Sequence, residues 1–257
     1  MTHTARTHSL VPILIGSLVL VGCGDDGSTT TSASGRNNPP IDVGDRPGDD
    51  PQVDPADFVA GIDNPWMPFT PGSRWVYESQ TDDGLERIEV VVTDDHKTAM
   101  GIGATVVRDT VTLDGRVIED TWDWYAQDRD GNVWYLGEET KEYDEDGSIS
   151  TEGSWEAGVD GAVPGIIMHA DPQVGEAYRQ EFYEGEAEDV AEVVRTGESV
   201  EVPAGRFDDV LVILEWNPLE PDVLEEKYYA RGVGVVLEQK VRGGDQRVEL
   251  VEHTSGS

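Results

Sequence analysis

The sequence predicts a mainly β protein, a large antiparallel meander forming one curved sheet or partly closed barrel with a long Gly-rich loop. Three observations carry that prediction. The pairs Asp83-Gly84, Asp114-Gly115, Asp130-Gly131 and Asp146-Gly147 each separate runs rich in β-branched and aromatic residues. Asp-Gly between such runs is a strong hairpin signal, because a type I′ turn needs positive φ at both central residues. Further strand-like runs follow at 177–183, 189–195, 199–202, 209–216, 225–230, 234–242 and 247–251, bounded by Gly or Pro. Finally, no repeat of about 20–50 residues recurs, which removes propellers and solenoids.

The N-terminus bears on location. Arg6 precedes an apolar run at 10–21, and Leu20-Val21-Gly22-Cys23 follows at once. That run is shorter than the about 20 residues a membrane-spanning helix needs, so 1–22 reads as an export signal. The four-residue end resembles the lipobox of bacterial lipoproteins. The resemblance implies cleavage after Gly22, lipidation of Cys23 and an extracytoplasmic place in a bacterial cell envelope, at the periplasm or the cell surface. An ordinary signal peptide with a coincidental cysteine is the alternative. Cys23 is the only cysteine, so no disulfide is expected and stability must come from the core. Two or more acyl chains hold a protein stably on a membrane.

Residues 23–57 are Gly, Ser, Thr, Asn, Pro and Asp with little that is apolar. Such a stretch buries too little to offset its ordering entropy, and it is expected to be a disordered tether. Charge is the other global feature: 53 acidic against 18 basic residues give −35. Without 1–22 only Arg6 is lost, so 17 basic residues against 53 acidic leave −36. A chain this negative repels nucleic acid and anionic headgroups, which excludes both as partners of its surface. The acidity suits either solubility or the binding of divalent cations, with calcium as the candidate cofactor; no other cofactor is indicated.

A single β-rich domain is expected over 58–253. It opens with Asn64-Pro65-Trp66-Met67-Pro68-Phe69-Thr70-Pro71-Gly72, where three prolines exclude a helix and Trp66, Met67 and Phe69 should plug one end of the core. A two-residue turn at Asp83-Gly84 would set Trp75, Tyr77 and Ser79 opposite Val92, Val90 and Ile88, with Glu78 facing Glu89 and Gln80 facing Arg87 on the wet side. The Gly- and Pro-rich stretch 153–175 carries Trp155, Val159, Val163, Ile166, Ile167 and Met168, too apolar for disorder, and should pack as a lid over one opening of the sheet. Residues 185–194 could compete as a short helix, but Gly185 and Val193-Val194 favour strand.

Three segments carry a further resemblance. Asn64-Pro65 with Pro71-Gly72-Ser73-Arg74-Trp75-Val76-Tyr77, then Val202-Pro203-Ala204-Gly205-Arg206-Phe207, then Lys227-Tyr228-Tyr229-Ala230-Arg231-Gly232-Val233-Gly234, is similar to a group of uncharacterised bacterial envelope lipoproteins. More loosely, the predicted architecture is similar to half-β-barrel envelope lipoproteins, which implies that the concave face holds lipid or a partner protein.

Candidate sites follow from the predicted registers. A two-residue turn at Asp114-Gly115 would pair Asp109 with Asp120, Val107 with Trp122 and Thr105 with Trp124, placing two carboxylates inside an apolar strip. Like charges there need a cation, an arginine or a shared proton. Asp109 and Asp120, with Asp128, are therefore the candidate metal ligands. The run Asp128-Arg129-Asp130-Gly131-Asn132, with Glu139 at loop position twelve, has Val133 where a calcium loop needs glycine, so a plain hairpin turn competes with calcium binding. Trp122, Trp124, Tyr135, Trp155, Met168 and His169 form the candidate ligand pocket, with Tyr135 expected opposite Ala126; a plain core is the competing reading. No complete catalytic signature is present. A hydrolase would rest on His169 with a nucleophile such as Ser154, which nothing in the sequence brings together. The sequence thus points to a lipid-anchored, non-enzymatic envelope protein that binds an apolar ligand or a protein partner on a curved sheet, with cation binding and His169-based hydrolysis as alternatives.

Overall fold

The computed structural model of the protein describes residues 51–256. The expected export signal, Cys23 and most of the expected tether lie outside the described residues. A 3₁₀ turn at Pro55–Asp57 leads into β1 (Phe58–Val59), β2 (Arg74–Thr81), β3 (Gly84–Ala99), β4 (Ile102–Leu113), β5 (Arg116–Asp128) and β6 (Val133–Tyr143). The short strands β7 (Ile149–Ser150), β8 (Trp155–Glu156), β9 (Val163–Met168), β10 (Ala177–Arg179) and β11 (Glu181–Phe182) follow. Long strands then resume with β12 (Val190–Val202), β13 (Gly205–Trp216), β14 (Leu224–Ala230), β15 (Gly234–Arg242) and β16 (Arg247–Thr254).

Two antiparallel meanders, β2 to β6 and β12 to β16, are joined where β16 pairs with β2. Their other ends meet through one short run of chain. β10 pairs with β12, β11 pairs with β9, β9 pairs with β6, and only Gln180 separates β10 from β11. The sheet is thereby a nearly closed antiparallel barrel, the architecture the sequence predicts.

Side chains alternate across each strand, so one face of every long strand turns inward. The inner core takes Trp75 and Tyr77 from β2, Ile88 and Val90 from β3, Leu211 and Ile213 from β13 and Leu250 from β16, and Trp66, Met67 and Phe69 insert into it. Asn64 fixes that insertion: its Nδ2 donates to the carbonyls of Gly131 (2.9 Å) and His169 (3.2 Å), and its Oδ1 accepts from the Trp66 amide (2.9 Å). A second apolar cluster, including Ile102, Val106, Trp124 and Leu136, lies on the other face of β4 to β6, with Val53 and Phe58 packed against it.

Turn chemistry departs from expectation in three places. The first hairpin turns at Asp82-Asp83, not Asp83-Gly84, so Trp75 faces Val90, Tyr77 faces Ile88 and Ser79 faces Glu86. The inner face is the expected one, but the two-residue slip brings Glu78 opposite Arg87, with which it forms a 2.8 Å ion pair. Asp130-Gly131 lies within a four-residue connection from Asp128 to Val133, so Tyr135 faces Tyr125 and Ala126 faces Trp134. The stretch 153–175 is not a lid. It supplies β8 and β9, which pair with β6, and it buries Trp155, Ile167 and Met168 as wall and core. The helix alternative at 185–194 gives way to turn and then β12.

Closure depends on a missing side chain. A Cβ on Gly165 of β9 would stand 2.4 Å from the carbonyl carbon and oxygen of Gln180. Overpacking against backbone costs about 1–3 kcal/mol. Gly165→Ala should therefore lower the urea unfolding midpoint by that equivalent, whereas Gly103→Ala, with open space at its Cβ, should not; equal midpoints for both variants would refute the tight closure.

Candidate functional site

A single bulge decides the fate of the predicted carboxylate pair. Asp114 (φ 48°) and Gly115 (φ 83°) make the expected positive-φ turn, and Leu113 faces Arg116 and Thr112 faces Val117. Ile118 is then left over, so Val111 faces Glu119, Asp109 faces Thr121 and Asp120 faces Thr110. One extra residue sends everything beyond it to the opposite face. Asp109 points into the barrel. Asp120 sits on the outer face in a bidentate clasp with Arg108, Nε to Oδ1 and NH2 to Oδ2 both at 2.8 Å, and Thr110 Oγ1 donates to it at 3.2 Å.

Asp128 has a third setting. Its carboxylate accepts from the Asn132 amide (2.9 Å), Asn132 Nδ2 (2.9 Å) and Trp134 Nε1 (2.8 Å), closing the connection as a hairpin turn. Interior, outer face and loop thus hold Asp109, Asp120 and Asp128 apart. Among the described residues no group of three or more His, Cys, Asp or Glu side chains is placed to hold a metal ion.

The aromatic set also divides. Trp122 and Trp124 share a face as expected, but it is the outer one. Trp122 is half-buried, with the Arg108 guanidinium 4.9 Å and Lys141 Nζ 5.1 Å from its ring centre. Trp124 belongs to the outer apolar cluster under Lys97 Nζ at 4.0 Å. Tyr135, Trp155 and Met168 are inside, where Tyr135 stacks on Tyr125 at 4.9 Å and meets the edge of Trp155 at 5.2 Å. Tyr135 and Met168 have 0% exposure and Trp155 has 4%, so these three fill the core rather than line an open pocket. His169 packs edge-on against Tyr178 at 4.5 Å, and its Nε2 has no hydrogen-bond partner and lies 3.9 Å from Glu176 Oε1. Burial lowers its pKa, and Glu176 partly opposes this. Ser154 Oγ instead donates to the Thr140 carbonyl (3.4 Å) and accepts from its amide (3.0 Å), so the pairing a hydrolase needs is not assembled.

What the barrel does assemble is an acid-rich interior. Asp123 of β5 faces Glu138 of β6, and the Tyr135 hydroxyl donates to Asp123 Oδ1 at 2.7 Å. Asp109, Glu119 and Glu181 are buried in the same interior. Asp109 is 1% exposed, and neither of its oxygens has a hydrogen-bond partner. Asp109, Glu119, Asp123 and Glu138 form no ion pair among the described residues. Across the barrel the acids do meet cations: Lys227 Nζ lies 2.6 Å from Glu215 and 3.7 Å from Glu238, and Lys240 Nζ lies 3.8 Å from Glu225.

An isolated buried carboxylate is strongly disfavoured, so the group takes a proton instead. Burial pushes Asp109, Asp123 and Glu138 well above the ordinary carboxylate range; repulsion from neighbouring acids adds to this, and the Tyr135 hydrogen bond only partly opposes it at Asp123 and Glu138. Burial raises Glu119 to about 7 and Glu86 to about 7. Burial alone would lower Lys227, but Glu215 and Glu238 outweigh it and keep the ammonium charged. The interior thus favours the protonated form of these carboxyl groups. Sequence reasoning missed Asp123, Glu138 and Glu119 because it followed Asp120, Trp122 and Trp124. The signal was the complementary parity, Thr121, Asp123 and Tyr125, which the bulge turns inward.

A carboxyl raised from 4.5 to about 7 in the fold binds a proton that the unfolded chain has lost over that interval. The contribution of Glu119 to stability is therefore fullest below about pH 4.5 and falls as pH rises toward 7, by on the order of 3 kcal/mol. The Tm should drop between about pH 5 and about pH 7.5, and Glu119→Gln should flatten the drop; a Tm that climbs over this interval would contradict the buried-acid interior.

No family model matches the sequence, and comparison with curated proteins finds no match. Two solved structures are similar over 74% of this chain. One is a Bacteroides fragilis protein described as exported and as having a YmcC-like fold, at 14% identity over 99% of that chain and a TM-score of 0.43. The other is a Parabacteroides distasonis protein described as a lipoprotein, at 15% identity over 98% of that chain and a TM-score of 0.40. At these scores neither likeness bears on what this chain binds or does.

Proposed function

We propose that the chain is a non-enzymatic, lipid-anchored protein of the bacterial cell envelope that docks a protein partner on the outer face of β4 to β6. The observation that carries this reading is the setting of Trp122. It stands half-buried on that face between Arg108 and Lys141, beside the Arg108–Asp120 clasp. Tryptophan and arginine are enriched among the few residues that carry most of the binding energy at protein interfaces. Phe58 and Trp134, edge to face at 6.1 Å, continue the aromatic surface on the same side. An apolar ligand inside the barrel is less well supported, since Tyr135, Trp155 and Met168 already pack against one another. The anchor rests on Leu20-Val21-Gly22-Cys23, and the tether ends before Val53, which packs against the outer apolar cluster ahead of the 3₁₀ turn at Pro55–Asp57.

Two measurements test the reading. Metabolic labelling with an alkyne fatty acid should mark the wild-type chain and not Cys23→Ser; an unlabelled wild type would remove the anchor. A photo-crosslinking residue at Trp122 should give one discrete protein adduct in intact cells, and the same residue at Asp208, exposed on β13, should not. No adduct at 122, the same adduct at 208, or a stoichiometric lipid extracted from the purified protein would overturn partner docking.

A further inference from the structure

Lys227 of β14 points into the barrel and is 3% exposed, where the cost of desolvating a charge can exceed what pairing returns. Its neighbours come from the strands on either side. Nζ lies 2.6 Å from Glu215 Oε2 of β13 and 3.7 Å from Glu238 Oε2 of β15, and Glu238 is its direct cross-strand partner. The other Glu215 oxygen, Oε1, accepts from Gln180 Nε2 at 3.0 Å and has the Tyr229 hydroxyl at 3.5 Å. Gln180 sits at the seam where the barrel closes, between β10 and β11. Glu225, opposite Glu215, lies 3.8 Å from Lys240. Gln180, Tyr229 and Glu238 are each 2% exposed or less, so the group is closed to bulk water.

An amine against one carboxylate oxygen, two donors at the other and a second carboxyl beside the amine are the groups that amide formation needs. We propose that Lys227 and Glu215 join in an intramolecular isopeptide bond that staples β13 to β14. Lys227 Nζ attacks Glu215 Cδ, Gln180 and Tyr229 meet the negative charge that develops on Oε1, and Glu238 carries protons from the nitrogen to the departing Oε2. One C–N bond forms and one C–O bond breaks. Ammonium and carboxylate become an amide and one water, which takes Oε2 and two of the three ammonium protons; nothing is oxidised or reduced. Contact between the reacting groups makes the condensation unimolecular. The carboxylates that keep Lys227 charged against solvent are also the acceptors that free its lone pair: at 2.6 Å a proton passes within the site and not to water. Burial, partly opposed by Lys227, holds Glu238 well above the ordinary carboxylate range and so makes it a proton carrier. The product is uncharged, which relieves the desolvation cost of the pair. It also braces a chain whose one cysteine, Cys23, can form no internal disulfide. The staple does not depend on partner docking at Trp122.

Peptide mass analysis of the full-length chain tests the bond, because Glu215 and Lys227 lie between the same two arginines, Arg206 and Arg231. Trypsin does not cut after an acylated lysine. The folded wild-type chain, denatured before digestion, should therefore yield peptide 207–231 uncut at Lys227 and lighter by one water, with fragment ions placing the loop between 215 and 227. Lys227→Arg should give 207–227 and 228–231 with no water lost. Glu238→Gln keeps the shape of the side chain and removes the proton carrier; in freshly made protein that retains its β circular dichroism, it should lower the cross-linked fraction at least about tenfold. The wild-type digest decides the bond without any variant. Cleavage after Lys227 with no loss of water, a loop closed at another glutamate, or a cross-linked fraction unchanged in folded Glu238→Gln would overturn the staple.

Discussion

Everything distinctive about this protein follows from closing one antiparallel sheet on itself. Closure gives every long strand an inner and an outer face and removes water from the inner one. Side chains that would be unremarkable on an open sheet, such as Asp109, Asp123 and Glu138, become buried groups whose charge nothing nearby balances. The chain meets that demand differently on the two sides of the barrel. Around β13 to β15 it supplies Lys227 and Lys240, and the acids there are ion-paired. Around β4 to β6 it supplies tyrosines, and burial pushes the pKa of the acids well above the ordinary carboxylate range.

The outer face obeys another rule. In a chain of net charge −35, five cations of β2 to β6 are matched to carboxylates: Arg74 with Glu89, Arg87 with Glu78, Lys97 with Glu156, Arg108 with Asp120, and Lys141 with Glu139. Exposed pairs of this kind contribute only about 0–1 kcal/mol each. Their larger effect is positional, since Arg108 and Lys141 hold Trp122 between them and Lys97 covers Trp124. Tryptophans framed by cations thereby lie on the outside and buried acids on the inside of the same three strands, and Asp120 and Asp123, three residues apart, fall into different environments.

Much of the fold was legible. The meander, the positive-φ turn at Asp114-Gly115, the Trp66, Met67 and Phe69 insertion and the shared face of Trp122 and Trp124 all follow from local chemistry. The candidate site was legible only in composition. Asp109 against Asp120 was the natural pairing for a regular two-residue hairpin, and the leftover Ile118 removed it; Tyr135 against Ala126 failed because the connection after Asp128 has four residues. Bulges carry no reliable local signature, being adopted where they let a whole sheet twist and close. The acid pair that does exist, Asp123 with Glu138, could not be found from either strand alone.

By itself, then, the sequence determined strand content, turn positions near Asp-Gly, the extreme acidity and the lipobox-like end at Cys23, because each depends on neighbours within a few residues. Only the tertiary structure decided which parity of β5 faces inward, that 153–175 is wall rather than lid, and that Gly165 lets Gln180 close the seam. Those outcomes depend on register, and register is settled by the sum of packing over all strands once the ends of the sheet have met. A shift of one residue, too small to read in a sequence, exchanges inside for outside along an entire strand.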